Sequence, residues 1–210
     1  MVMMRLRLGL LVKDLKYRFK VASSTVSKSI VFLPELHVLQ KHVPPCFSAF
    51  SDTRIVLDCT EIFNQSLTYS NYKSHNIFKV LVCVNMTGAV VLISKLWGGS
   101  VSDTKWLLEQ LNAGDAVMVD KGFIHLKPDL VKKDVQLYCP PLKTKEQFTK
   151  EEVNVTRRIA SARIHVERKM EQIKNFRILQ SVMPLALNKI ADEIFFVCGA
   201  LTNLLPPLVS

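Results

Sequence analysis

Asp58 is embedded in an apolar run, RIVLDCTEIF (54–63), and Asp120 stands in another, AVMVDKGF (116–123). A carboxylate inside an otherwise buried strand is costly unless it is paired or binds a cation. Glu167 lies in a basic stretch, TKEEVNVTRRIASARIHVERKMEQIKNFRIL (149–179), with Arg163 one turn before it and Lys174 two turns after. Two strands lying side by side would bring Asp58 and Asp120 together, and a helix across them would add Glu167. Clustered carboxylate oxygens suit hard divalent ions, Mg²⁺ or Mn²⁺. Two such ions clamp the attacking and leaving oxygens of a phosphodiester. The chemistry this predicts is phosphoryl transfer in nucleic acid. The plainer alternative is a solvated helix face on which Glu167 pairs with Arg163 and Lys174, a common and weak arrangement.

The elements that must position these acids follow from the pattern around them. Residues 149–179 predict one long helix: Thr149 can cap it, with Glu152 at the position that completes a capping box, and no Gly or Pro interrupts it. On its wheel Val155, Ile159, Ala162, Val166, Met170 and Ile173 form the buried stripe, with Ala160, Arg163, Glu167 and Lys174 at the edge. Short apolar runs predict strands at 54–63, 78–85 and 89–96, the last two joined by a turn at Thr87-Gly88. WGGSV (97–101) reads as a glycine turn, and Asp103 opens an amphipathic run, DTKWLLEQL, as its cap or as an auxiliary acid. A strand at 116–123 ends on Asp120, another spans 135–141, and an apolar helix covers 185–204. By period-2 counting Glu61 falls outside the site. The fold class this predicts is α/β, a mixed sheet with packed helices.

Ahead of that domain, residues 8–30 divide into two helical halves around 20–22, with Leu11, Leu15 and Phe19 at spacing four in the first. The second half starts at Ser23 or Ser24 and carries Ser24, Thr25 and Lys28, a polar and basic start that fits the recognition helix of a helix-turn-helix. A plain helical hairpin fits the same residues. Arg5 and Arg7 read as an arm that either contacts phosphate or is idle. Prolines 34, 44 and 45 break the joint that follows, and His37 and His42 lie in it without ligand spacing.

Composition narrows the partners. The 210 residues are 49% hydrophobic and 22% charged, which describes a foldable chain, and the net charge of +10 favours an anionic partner. The basic residues are interleaved with apolar ones, which favours a nucleic-acid groove over a membrane surface. Five cysteines without a CxxC pair predict buried thiols, not a zinc site or a disulfide frame. The start of the chain has no small-residue cleavage site, and the apolar run 194–205 is too short to span a bilayer. These features predict a soluble intracellular protein with no membrane partner.

Taken together, IVLDCTEIF (55–63), YKSHNIFKVLV (72–82), GGSVSD (98–103), GDAVMVDKGF (114–123), PP (140–141), the stretch 148–179 and IFFVCGALTNLLPPL (194–208) resemble the nuclease domain of Harbinger-type DDE transposases, an RNase H-like fold. The resemblance implies a small helix-turn-helix segment (1–33), a linker (34–52) and a DDE nuclease domain (53–210). It assigns the catalytic and metal-binding triad to Asp58, Asp120 and Glu167, loaded with two Mg²⁺ or Mn²⁺ ions; Asp103 is either an auxiliary acid or, as its place before the amphipathic run favours, a helix N-cap. Family members of this kind bind terminal inverted repeats, cut DNA with water and join the freed 3′ hydroxyl to a target. DNA contacts then fall to Arg163 first, with Lys174, Lys121, Ser24, Thr25 and Lys28. His165 and His75 are expected to pack or to touch phosphate, since a metal-bound water needs no side-chain base. DNA is the implied partner, with self-association left open, and the nucleus the implied compartment, or else the cytoplasm. The segments 64–71 and 104–113 are shorter than the family pattern. That feature fits the alternative, a transposase descendant that binds DNA without cutting it.

Overall fold

The computed structural model describes residues 1–26, 45–65, 69–70, 75–98, 104–141 and 149–206. Its centre is the long strand β1 (Thr53–Phe63), antiparallel to β3 (His75–Val84) on one side and parallel to β6 (Ala116–Met118) on the other. Beyond β6 runs β7 (Gln136–Tyr138), also parallel, while β4 (Val90–Ile93) pairs with the far edge of β3. Two short strands, β2 (Tyr69–Ser70) and β5 (Trp97–Gly98), add to β3 as well. The order β4-β3-β1-β6-β7, three antiparallel strands continued by two parallel ones, is that of an RNase H-like sheet.

Helices cover both faces, so β1 is apolar on both sides. Val56 and Ile62 join the core under the long helix α5 (Lys150–Lys174) and α7 (Ala191–Thr202). Ile55 and Leu57 join the opposite core, with Leu107 and Leu111 at α3 (Thr104–Gln110) and Leu130 of α4 (Lys127–Lys132). At Gly199 an added Cβ would lie 2.3 Å from Ile93 Cδ1, so the missing side chain lets α7 approach β4 closely. The short segment 104–113 therefore folds as a helix with a buried face, and the β1–β6 ladder forms beside it. Among the described residues no helix is long and apolar enough to cross a membrane.

Several expectations change in detail. The long helix begins as expected, with a full capping box between Thr149 and Glu152, but it ends at Lys174. A straight continuation of its stripe would carry Gln180 inward and Ile178 outward. The break at 175–176 instead buries Phe176, Ile178 and Leu179, the last two on α6 (Arg177–Gln180). Val155 is exposed, and the buried stripe starts at Ile159. The strand expected over 116–123 pairs only to Met118, and residues 121–126 form a 3-10 turn. The C-terminal helix is likewise split, a 3-10 turn (Leu185–Ile190) preceding α7. The glycine turn expected at 97–101 begins as strand: Trp97 and Gly98 pair with Lys79 and Phe78.

At the start of the chain, α1 (Val2–Leu8) forms where an arm was expected, and α2 (Val12–Phe19) follows it. Arg5 is buried and donates to the Leu10 carbonyl, and Arg7 lies over the Phe176 ring at 5.5 Å. Burial of Leu6 in the main core fixes this helix on the domain, so neither arginine is a free phosphate arm. In α2 only Leu15 of the spacing-four set is buried, Leu11 and Phe19 being exposed. A further helical stretch at 23–26 contains Ser24 and Thr25, after a joint at Lys20 with positive φ; Lys28, His37 and His42 lie outside the described residues.

Candidate active site

The β1–β6 register decides where the acids go. Val56 pairs with Met118 in parallel, so Asp58 and Asp120 each stand two residues further along adjacent strand paths. With a period of two, Asp58 shares the face of Val56 and Asp120 that of Met118, and both hydrophobic residues lie in the core beneath α5. Glu167 comes to the same place from α5, whose residues Val166 and Met170 are buried against that core. Three acids spread over more than a hundred residues of chain, from Asp58 to Glu167, are thus brought to one end of the sheet.

Arg163 links them. Its Nη1 donates to Asp120 Oδ1 at 3.1 Å, and its Nη2 lies 3.9 Å from Glu167 Oε1, one turn along the helix. The guanidinium side chain is 14% exposed, against 49% for Asp120 and 57% for Glu167. Its Nε is buried without a hydrogen-bond partner. Asp120 also caps the 3-10 turn that follows it, accepting from the Lys121 backbone N–H at 2.7 Å. Asp58 accepts from the Cys59 backbone N–H at 2.9 Å. Burial pushes the Asp58 carboxyl above its usual range. The Cys59 N–H and Arg163 pull it back, while the charges of Asp120 and Glu167 push it further up. All three acids and Arg163 therefore share one electrostatic site.

An open cleft of about 550 Å³ runs along β1 and α5 beside this cluster, lined by Asp58, Glu61, Glu167, Glu171 and Lys174 among others. Glu61 was expected outside the site. It is among the residues that line the cleft. Glu171 was missed, although its place four residues after Glu167 on a helix was a sufficient signal. Lys174 faces the cleft, as the edge position on the wheel predicts. Lys121 is exposed beside Asp120, whereas Ser24 and Thr25 lie in the N-terminal helical stretch at 23–26 and are not among the residues lining this cleft. Asp103 lies outside the described residues. His165 is buried against the Phe47 ring at 5.8 Å, and burial, then Arg168, lowers its pKa.

Donor chemistry fits a hard divalent ion, since the acids offer only carboxylate oxygens and Asp58 is a half-buried charge with a single backbone donor. Among the described residues, however, no three His, Cys, Asp or Glu side chains converge closely enough to hold an ion. The positive charge between Asp120 and Glu167 is the Arg163 guanidinium.

The mixed sheet with helices on both faces, and acids at one end of it, is an RNase H-like α/β domain. The sequence profile of the DDE superfamily endonucleases matches residues 54–203, and the chain belongs to that family. No curated protein matches it. Among solved structures it is similar to the Mos1 transposase of a pre-cleavage transpososome, with 11% identity and a TM-score of 0.41 over 92% of this chain and 71% of the other.

Proposed function

We propose that the chain is a divalent-metal-dependent DNA endonuclease and strand transferase of the Harbinger type, using Asp58, Asp120 and Glu167. The observation that carries this reading is the placement of Asp58 on β1 and Asp120 just past the end of β6, in corresponding register under the helix that bears Glu167, in a DDE-family chain. The three carboxylates would hold Mg²⁺ or Mn²⁺, which when bound activates water and stabilises charge on the phosphodiester oxygens. The chain's own residues do the rest. Lys174 in the cleft and Lys121 beside Asp120 offer positive charge to the DNA backbone. The N-terminal segment, whose sequence carries Ser24, Thr25 and Lys28, is the helix-turn-helix that selects the site. Lys13, Lys16 and Lys20 line a second open groove there, which suits a phosphate backbone. Action on DNA makes the nucleus the working compartment.

One observation favours a second reading, a transposase-derived protein that binds DNA without cutting it: the acids stand around Arg163 and do not converge. Binding of labelled duplex bearing terminal repeats, followed by a Mg²⁺ chase, separates the two. Bound duplex that yields a nicked product and a joined 3′ end supports the enzyme. Bound duplex that stays intact supports the second reading.

A further inference from the structure

We propose that Arg163 is the resident counter-cation of the acidic cluster, a latch that divalent metal must displace and that thereby sets the site's metal affinity. This rests on the reading of Asp58, Asp120 and Glu167 as metal ligands. Arg163 bonds one of these acids at 3.1 Å, lies 3.9 Å from a second, and acts through charge on the third. Its guanidinium is largely withdrawn from solvent, so it is not placed to meet DNA in this state.

The latch is also imperfect. The 3.9 Å contact to Glu167 is longer than a hydrogen bond, and Nε is buried with no partner. A buried donor left unsatisfied favours departure of the group from its place. An arginine is always protonated, so its charge cannot be removed to make room for a metal ion; it has to move. Arg163 and a dication compete for the same carboxylate oxygens and repel one another at close range. Metal loading and release of Arg163 are therefore one event. The released guanidinium, one turn from Glu167, is then free for a phosphate of the substrate.

The experiment is Mn²⁺ binding to the full chain without DNA, followed by electron paramagnetic resonance of free Mn²⁺, for wild type, Arg163→Gln and Arg163→Lys. A latch predicts that Arg163→Gln binds Mn²⁺ about tenfold tighter or better, with Arg163→Lys in between because it keeps charge but loses the fork. Thermal unfolding in EDTA checks that each variant is folded, and Arg163→Lys carries the test should Arg163→Gln not be. Equal or weaker binding by the folded variants overturns the latch while leaving the triad assignment standing. No Mn²⁺ binding by wild type or either variant overturns both. An arginine that merely braces the acids would lower affinity when removed, the opposite sign.

Discussion

Asp58 and Asp120 stand in corresponding places on neighbouring parallel strand paths, each two residues past the Val56–Met118 pair. This relationship sets two like charges on one face of the sheet, both of them half-buried. A half-buried carboxylate facing two other acids weakens the metal-free fold. Asp58→Asn should therefore raise stability in EDTA by about 1 kcal/mol, or about 3 °C in Tm at this chain length. A lower Tm would show that Asp58 is a structural ion-pair partner instead.

Lys169 gives a second prediction, with a pH signature. It is fully buried in α5, and its Nζ donates to the Thr202 carbonyl at 3.2 Å near the end of α7. Burial lowers its pKa from 10.5 to about 8. Between pH 8 and 10.5 the unfolded chain holds a proton that the folded one has lost, so stability from this group rises with pH across that window. Below pH 8 the penalty is fully present. Lys169→Met, of similar volume, should stabilise the fold at pH 7 by about 1–2 kcal/mol and flatten that rise. Urea unfolding at pH 7 and pH 10 checks both. Destabilisation at pH 7 would mean that the ammonium's bond to the helix end outweighs its desolvation.

Asn203 supplies a third. Its Oδ1 accepts from the Val90 N–H and its Nδ2 donates to the Val90 carbonyl, both at 2.8 Å, so the side chain serves β4 as a strand partner would. Asn203→Ala leaves both backbone groups buried and unpaired, at about 2–4 kcal/mol in total. Asn203→Asp keeps the acceptor and loses the donor. Chemical denaturation should rank wild type above both variants, and near-equal stability of Asn203→Ala would remove this bridge from the account.

The strands were legible because β1 and β3 are long and apolar, and the capping box fixed the start of α5 to the residue. The split at 175–176 was not, because no Gly or Pro marks it. It is dictated by the burial of Phe176 under Arg7, a contact between residues far apart in sequence. α1 was hidden for the same reason: seven residues are too few to show a period, and Leu6 is buried only by the domain it docks on. In the site, the two aspartates could be placed by strand counting alone. The partner of Arg163 could not: helix spacing points it to Glu167, whereas its shorter bond runs to Asp120, 43 residues away.

The most direct test of the central claim is cleavage of a labelled terminal-repeat duplex in Mg²⁺ or Mn²⁺ by wild type, Asp120→Asn and Glu167→Gln. Each substitution removes a ligand charge while keeping the side chain's shape. A metal-binding triad gives metal-dependent cutting by wild type, lost by about a hundredfold or more in both variants, since a metal-held transition state supplies several kcal/mol. Cutting that survives in Glu167→Gln, or folded wild type that binds the duplex and never cuts it, would contradict the claim.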